Sequence, residues 1–348
     1  MQDILALDGR AAAAAGPAAA PAGPATSIRI TRRAVLAAGA ALALPALAQP
    51  FPNKVVRLVV PYPPGGVSDA IARALAEKLT AQLGQQVIVE NKAGAAGTIG
   101  MDAVAKAAPD GHTLAFSAVS PLVLSPHLGK VPYDPEQDLT PVVSVMVSPV
   151  LLLATPATNV RDFRDLLATA KERPKFVRWA TSGSGSLGHL MLEQLQAASK
   201  LELVHIPYKG GGQQMTDALA GHYEVLSTNA GPAVHEHIKA GKLRPLAVGG
   251  PGRLESLPHV PTLAELGYPR ANLASHFGIF APGQLPARLL ERLNAEFNTA
   301  LKLPDIRARL VGTDNLPTGG SAAAFARDVK AESENNARII RAAGIRAD

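Results

Sequence analysis

The feature that most restricts the fold is a unit that recurs along the chain. Each unit is a short apolar run, a glycine-rich turn and then an amphipathic stretch; the turns read PPGG at 63–66, GAAGTIG at 94–100, GSGSLG at 183–188 and KGGG at 209–212. The apolar runs predict β-strands, and the apolar residues three and four apart behind the turns predict α-helices. Because strands and helices alternate, we predict an α/β protein with mostly parallel pairing.

The length of 348 residues favours about two domains. The apolar stretch 142–155, VVSVMVSPVLLLAT, is suited to pass from one domain to the next. The stretch that follows it, 159–174, is predicted to be a helix capped by Asn159 and ended by Pro174.

The glycine-rich turns are predicted to bind an anion. Turns that follow parallel strands gather at the carboxyl edge of the sheet, where ligands bind. Glycine lets main-chain N–H groups approach an anion, and the helix that begins there adds a partial positive charge. We therefore expect several turns that offer N–H donors.

One turn has the glycine spacing of a dinucleotide-binding site. Gly183, Gly185 and Gly188 spell G-x-G-x-x-G, but a dinucleotide fold needs one such turn and a carboxylate at the end of the next strand. Glu202 has about the right spacing but opens its strand, at the opposite edge. The pattern therefore argues against NAD, and no cofactor is expected.

Other chemistry is disfavoured by the residue types. The chain has no cysteine, and neither Ser182 nor Ser186 lies in the G-x-S-x-G pattern of a hydrolase nucleophile. His235 and His237 are two residues apart and point to different sides of a helix, which disfavours a metal site. The net charge of +6 comes without clusters of Lys and Arg among aromatics, which disfavours nucleic acid.

Three polar residues keep two interpretations each. His189 either contacts a ligand or packs over the Ser/Gly turn. Asp69 either accepts a hydrogen bond from a ligand amine or hydroxyl, or complements the dipole of the helix predicted to begin next to it. Lys209 follows a strand directly and either meets an anion or lies on the surface.

The N-terminus is predicted to be a low-complexity extension and an export signal, residues 1–48. Residues 11–26 are rich in Ala and Pro, and Arg32-Arg33 precede a short apolar stretch that ends in the cleavage pattern at Ala46–Ala48. The arginine pair favours the twin-arginine route to the periplasm, with the general secretory route as the alternative. Without this leader the net charge is +4, and no later segment is long and apolar enough to span a bilayer, so a soluble mature protein is expected.

Five motifs occur in an order that resembles a known family. They are VVRLVVPYPPGGVSDAIARALAEKL, VIVENKAGAAGTIGMDAVAKAAPDGHTL, TSGSGSLGHLMLEQL, VHIPYKGGGQQMTDALAGH and GRLESLPHVPTLAELGYP. Together they resemble the Bug receptors, the extracytoplasmic solute-binding proteins of tripartite tricarboxylate transporters. The resemblance covers residues 51–348.

The resemblance implies a two-domain periplasmic binding protein fold of the type II kind, with a ligand cleft between lobes joined by two crossing strands. Domain 1 would comprise 51–150 and 276–348, and domain 2 would comprise 151–275. It further implies binding of a small di- or tricarboxylate or related organic acid without catalysis, and membrane transporter subunits as partners. The alternatives are a secreted α/β enzyme acting on a small carboxylate and an orphan receptor that serves a sensor.

The resemblance also locates the site. Pro64–Asp69 would form the ligand turn of the first domain, with Val67 and Ser68 as its selective part; Gly94–Gly97 would lie beside it, and Ser182–Gly188 and Tyr208–Gly211 would close from the second domain. With the turn analysis, the expected ligand-binding residues are Tyr62, Gly65, Gly66, Val67, Ser68, Asp69, Ala95, Gly97, Ser117, Ser120, Ser182, Ser184, Gly185, Ser186, His189, Tyr208, Lys209, Gly210 and Asn229; no catalytic or metal residue is expected.

Two positions depart from the family pattern. His276 in SHFGIF stands where the family has Trp, which puts the usual apolar wall near the cleft in doubt. His259 replaces an Asp in LPHVPT and is interpreted as a surface change.

Overall fold

The computed structural model describes residues 51–345. The predicted export signal at 1–48 lies outside them. The strands are β1 Val56–Val60, β2 Val87–Asn91, β3 Thr113–Ala118, β4 Leu139–Ala154, β5 Arg178–Thr181, β6 Val204–Pro207, β7 Val225–Asn229, β8 Arg244–Gly249, β9 Ala274–Pro282 and β10 Leu316–Pro317. The helices are α1 Val67–Leu83, α2 Thr98–Ala105, α3 Ser120–Val123, α4 Ser125–Leu128, α5 Phe163–Glu172, α6 Leu187–Ser199, α7 Gly211–Leu219, α8 Pro232–Lys239, α9 Ala287–Lys302, α10 Pro304–Val311 and α11 Ala322–Ala343.

The strands pair in the order β2-β1-β3-β9-β4-β7-β5-β6, with β8 and β10 also paired to β4. The pairs among β1, β2 and β3 are parallel, and so are those among β5, β6 and β7. β9 and β4 lie between these groups and are antiparallel to their neighbours. The predicted α/β alternation with parallel segments is confirmed.

The long strand β4 belongs to two sheets. Its residues from Leu139 to Pro149 pair with β9, whereas Val150 to Ala154 pair with β7 and β8. The sheet that contains β1, β2, β3 and β9 is called the first sheet, and the one that contains β5 to β8 is called the second sheet. The apolar stretch 142–155 thus lies in the strand common to both, while the predicted domain boundaries at 150/151 and 275/276 stay a prediction.

Helices cover both faces of each sheet. In the first sheet, α1, α9 and α10 pack on one face and α2, α3 and α11 on the other. In the second sheet, α5 and α6 share one apolar cluster and α7 and α8 another. Helix α11 joins the two cores, because Phe325 near its start packs under the first sheet and Ile340 near its end packs under the second.

The start of α5 corrects one prediction. Asn159 does not cap this helix; Asp162 does, and its side chain accepts a hydrogen bond from the Asp165 amide at 2.9 Å. Asp and Asn are comparable caps, so the sequence offered two candidates three residues apart. Among residues 51–345, no helix has the length and apolarity needed to cross a membrane.

Candidate functional site

A cavity of about 260 Å³ lies where the two sheets meet. Its floor is formed by the central strands: Val150 of β4 stands opposite Asn229 of β7, and Ser275 and Phe277 follow on the same face of β9. Its walls are turns that follow strands of both sheets. The lining residues are Tyr62, Pro63, Pro64, Gly65, Gly66, Val67, Ser68, Ala96, Ala118, Ser120, Val150, Ser182, Ser186, Leu187, Gly188, Gly211, Gly212, Gln214, Met215, Ser227, Thr228, Asn229, Gly231, Pro232, Ala233, Val234, Ser275 and Phe277.

Besides the one-turn helix α3, which begins at Ser120, four longer helices begin at this cavity. The first residues of α1, α6, α7 and α8 all belong to its lining, so one helix of the first sheet and three of the second converge on one space. The amides of a helix's first turn have no acceptor within the helix, and each helix start is equivalent to about half a positive charge. The cavity is therefore a region of positive potential built from main-chain dipoles.

The polar side chains that line the cavity are hydroxyls and amides. Those of the turns are Ser68, Ser120, Ser182 and Ser186. Ser186 is the N-cap of α6, where its hydroxyl accepts from the amide of His189. Such groups donate hydrogen bonds to an anion without adding a net charge.

Polar side chains on and beside the floor of the cavity have hydrogen-bond partners within the protein. Asn229 Nδ2 donates to the carbonyl of Ser148 at 3.3 Å, and Gln214 Nε2 donates to the carbonyl of Ser227 at 3.1 Å. The Ser227 hydroxyl in turn accepts from the buried Trp179 indole at 3.0 Å. These hydrogen bonds orient the side chains without the help of a ligand.

Tyr62 is an uncharged donor at the edge of the site. Burial raises the pKa of its phenol to about 12, although hydrogen bonding to Ser117 acts in the opposite direction. Its oxygen lies 3.4 Å from the Ser117 hydroxyl. Ser117 is itself outside the lining, so Tyr62 connects it to the cavity.

Turns from the two sheets touch one another across the cavity. Gly183 faces Ala96, and a Cβ built on Gly183 would lie 3.3 Å from the Cβ of Ala96. Gly210, at φ +147°, faces Pro63, where a Cβ would come within 2.8 Å of the Pro63 Cγ. Side chains larger than glycine would keep these turns apart, so the structure is a closed arrangement.

The turn after β2 has an unusual backbone. Ala95 and Ala96 have φ of +46° and +52°, in the left-handed region that residues other than glycine seldom adopt. Ala96 lines the cavity and packs on Gly183. Strained backbone of this kind clusters at ligand-binding sites, and here it brings the turn towards the opposite one.

The structure brings nine of the predicted residues into the lining and leaves ten outside it. Those inside are Tyr62, Gly65, Gly66, Val67, Ser68, Ser120, Ser182, Ser186 and Asn229. Those outside are Asp69, Ala95, Gly97, Ser117, Ser184, Gly185, His189, Tyr208, Lys209 and Gly210. Several of the residues outside the lining contact the turns on the side that faces away from the cavity.

Asp69 braces the first turn. Asp69 is 6% exposed, and its carboxylate accepts a hydrogen bond from the amide of Gly65 at 3.1 Å and pairs with Arg73 at 2.9 Å. Burial raises the pKa of Asp69, but the hydrogen bonds from Arg73 and Gly65 outweigh burial and the pKa is lowered overall. The geometry supports the helix-start interpretation of this residue.

His189 and Lys209 also lie away from the cavity. The His189 Nδ1 accepts from the amide of Gly185 at 3.3 Å, and its ring stacks on His205 with 4.3 Å between centroids. His189 thus packs behind the Ser/Gly turn. Lys209 is exposed, and its neighbour Tyr208 donates to Asp217 at 2.7 Å.

One of the four longer helix starts and most of the floor were not among the predicted site residues. Gly231 to Val234, where α8 begins, line the cavity. The signal was present, because the strand YEVLSTN is followed by Gly231 and then by Pro232, and proline favours the first position of a helix. The floor residues Val150, Ser275 and Phe277 could be found only from strand register.

The departure at His276 does not remove the apolar wall. Side chains alternate along a strand, and Phe277 faces the cavity while His276 faces α11, where its Nδ1 lies 3.4 Å from Glu332. The hydrogen bond with Glu332 raises the pKa of His276. His259, as predicted, is exposed.

Comparison with known proteins agrees with this geometry. A model of the tripartite tricarboxylate transporter family receptor matches residues 71–345. The protein BugT of Bordetella pertussis is 40% identical over 270 residues, which cover 77% of this chain and 82% of BugT.

Solved structures share the fold over nearly their whole length. The periplasmic binding protein BugD superposes with a TM-score of 0.81 at 29% identity, covering 86% of this chain and 100% of BugD. A protein of R. palustris with adipate superposes with a TM-score of 0.80 at 32% identity, covering 85% of this chain and 99% of that protein. MatC from Rhodopseudomonas palustris with bound malate superposes with a TM-score of 0.78 at 28% identity, covering 83% of this chain and 100% of MatC.

The fold and the cavity between its sheets define a periplasmic binding protein, which confirms the predicted fold class. The chain belongs to the tripartite tricarboxylate transporter receptor family, the family of the Bug proteins that its motifs resemble. The members of this family are solute-binding receptors.

Proposed function

We propose that this protein binds a small organic acid in the cavity, with each carboxylate held by main-chain amides at helix starts, and releases it unchanged. The observation that supports this proposal most strongly is the convergence of four helix starts on one cavity whose polar side chains are hydroxyls and amides. Relatives solved with adipate and with malate point to the same class of ligand.

The donors are sufficient for useful affinity. A helix start contributes about 0.3–1 kcal/mol to the binding of an anion, and up to about 2 kcal/mol when partly buried. Each hydrogen bond to a charged group adds roughly 1.5–3 kcal/mol. Two turns with two such bonds each are consistent with the roughly 8 kcal/mol of a micromolar complex after the costs of association.

Ligand binding is coupled to closure in this proposal. The amides at the start of α1 follow the first sheet, and those of α6, α7 and α8 follow the second. A ligand contacts both sets only when the turns have come together, so its differential affinity favours the closed state. The closed form then delivers the acid to membrane subunits of a tripartite transporter outside the cytoplasm, as the family suggests.

A thermal-shift screen of the chain from residue 49 over mono-, di- and tricarboxylates, aromatic acids and amino acids tests this function. A ligand at 100 times its Kd stabilises the folded state by about 2.7 kcal/mol, and mass spectrometry should recover it unchanged. Absence of any shift with every acid contradicts carboxylate binding, and conversion of the acid contradicts a purely binding role.

A pair of variants tests the location. Ser182→Ala removes a hydroxyl from the lining and is expected to weaken binding by roughly tenfold or more, the value of one hydrogen bond to a charged group. Ser199→Ala is the matched control at the far end of α6, where the hydroxyl donates to the carbonyl of Leu195 and accepts from the amide of Leu201, away from the cavity. Equal affinity of both variants would contradict the proposed site.

A further inference from the structure

We propose that Asp314 is a positioning residue for the ligand site, because it ties the turn between α10 and β10 to helix α8 when the two sheets are closed. Asp314 acts through His235 of α8, so the contact makes ligand affinity depend on whether His235 carries its second proton. This inference rests on the proposed function and adds to it a contact outside the cavity lining that favours the closed state.

The turn that carries Asp314 belongs to the first sheet. Ile306 and Leu310 of α10 are buried in the core of that sheet. Strand β10 pairs with β4 opposite Met146 and Val147, in the part of β4 that also pairs with β9. Asn315 is fully buried, and its side-chain amide donates to the carbonyl of Thr313 at 2.9 Å. These contacts hold the turn in place without the side chain of Asp314.

The partners of Asp314 belong to the second sheet. His235 on α8 directly follows Val234, which packs in an apolar cluster of the second sheet. Ser256 lies in the segment after β8, and its neighbours Leu254 and Leu257 are buried in the same cluster. Both partners therefore move with the second sheet, whereas Asp314 moves with the first.

The contact itself is short and mostly shielded from water. The Oδ2 of Asp314 lies 2.9 Å from the Nε2 of His235 and accepts a hydrogen bond from the Ser256 hydroxyl at 2.6 Å. The side chains of His235 and Asp314 are 22% and 10% exposed. A pair in this environment interacts more strongly than one in open solvent.

This contact is coupled to the cavity through α8. Pro232, Ala233 and Val234 line the cavity, and His235 is the next residue of the same helix. Strand β4 runs through both sheets, so the side-chain contact of Asp314 is an additional link between them. Movement of one sheet away from the other separates Asp314 from both partners. The contact therefore favours the closed state that the ligand requires, and its loss should weaken binding without altering the lining.

The charge of His235 is governed by Asp314. Among residues 51–345, Asp314 supplies the carboxylate that lies within 4.0 Å of this imidazole. Arg253, on the segment of Ser256, is paired with Glu265 at 3.0 Å. The other charged or titratable groups near these three residues in sequence are exposed or half-buried: Glu236, His237, Lys239, Glu255, His259 and Arg309.

The contribution of the contact should therefore depend on pH. A protonated imidazole forms an ion pair with Asp314, and a neutral one forms only a weak polar contact. Histidine side chains in general lose this proton between about pH 5 and 8. The contact should favour closure at the lower end of that range and lose most of its effect at the upper end.

Asp314→Asn removes the charge and keeps the shape of the side chain. The φ of Asp314 is +58°, and asparagine tolerates this left-handed conformation as aspartate does. Calorimetry with the best acid from the screen is expected to show affinity at least about fivefold weaker than wild type at pH 6, and within about twofold of wild type at pH 9. Comparing variant and wild type at one pH cancels the ionisation of the ligand.

Two more variants keep the test independent of a single substitution. His235→Gln should show a similar loss at pH 6, and the double variant with Asp314→Asn should show little further loss, because both changes remove one interaction. Ser256→Ala removes the hydroxyl that donates to the same carboxylate, at an exposed position, and should weaken binding roughly two- to fivefold.

Asp305→Asn is the matched control at the start of α10. It removes an ion pair with Lys78 at 2.7 Å, which joins α10 to α1 on the first sheet alone, and should leave affinity unchanged. If Asp314→Asn lowers the urea midpoint of the unliganded protein but leaves affinity unchanged, or if its loss of affinity is equal at pH 6 and pH 9, this inference is wrong while carboxylate binding stands. If no acid binds the wild-type protein, the proposed function fails and this inference with it.

Discussion

Closure across the cavity can be tested at Gly231, which directly precedes α8 and faces Val67 at the start of α1. A Cβ on Gly231 would lie 3.3 Å from the Val67 Cβ, and the φ of Gly231 is −176°, an extended conformation that any residue adopts. A substitution there therefore adds volume without backbone strain. It does so only in the state in which the two turns touch.

The expected effect follows from that distance. In Gly231→Ala the neighbouring turn has to move by a few tenths of an ångström, whereas the branched side chain of Gly231→Val overlaps Val67 directly. Overpacking of this kind costs about 1–3 kcal/mol, which corresponds to a roughly 5- to 150-fold loss of affinity for the valine variant. The melting temperature without ligand should change little if the unliganded protein is open.

Calorimetry with the best acid from the screen measures this loss. Val67→Gly in the Gly231→Ala background should restore most of the affinity, because it removes the contacted Cβ, and the double-mutant cycle isolates that contact. Gly252→Val is the matched control, since a Cβ at Gly252 meets nothing within 4 Å. Wild-type affinity in Gly231→Val, or a loss in Gly231→Ala that Val67→Gly does not relieve, would refute this model of closure.

Three further substitutions have defined outcomes. Asp69→Asn should lower the free energy of unfolding at neutral pH, because the pKa of Asp69 is lowered in the folded state and its pairing with Arg73 stabilises the protein fully above the unfolded pKa of about 4. The difference from wild type should shrink as the pH falls below about 4 and vanish only below the lowered folded pKa, which urea titrations from pH 7 downwards measure. Glu332→Gln should destabilise the protein more at pH 6 than at pH 9, because pairing with Glu332 raises the pKa of His276 in the folded state. The stabilisation by this ion pair is complete below the unfolded pKa of about 6.5 and is lost as the pH rises through the raised folded pKa. Equal destabilisation at both pH values would contradict this prediction. Glu224→Gln should cost about 1.5–3 kcal/mol, since this buried carboxylate accepts three hydrogen bonds from one arginine, and an unchanged urea midpoint would contradict it.

The fold was predictable because its signals are local. Each strand–turn–helix unit consists of consecutive residues, so its pattern is visible in the sequence. The turns at 63–66, 183–188 and 209–212 contribute lining residues, as predicted. The turn at 94–100 contributes only Ala96, because four successive residues with positive φ decide which one faces the cavity. That choice depends on the backbone and is not visible in the glycine pattern.

The rest of the site depends on tertiary register. Ser275 and Phe277 face the cavity and His276 does not, which is set by the pairing of β9 with β4. Asp69 and His189 were candidates because of residue type and position, and both were open to a structural interpretation. The structure places them behind the turns, where they orient the amides and do not line the cavity.

A crystal structure of the protein with a bound diacid tests the central claim most directly. We expect carboxylate oxygens within about 2.7–3.2 Å of main-chain nitrogens at the start of α1 and at the start of at least one of α6, α7 and α8. A diacid held chiefly by lysine or arginine side chains outside the cavity, with the helix-start amides left to solvent, would contradict the account.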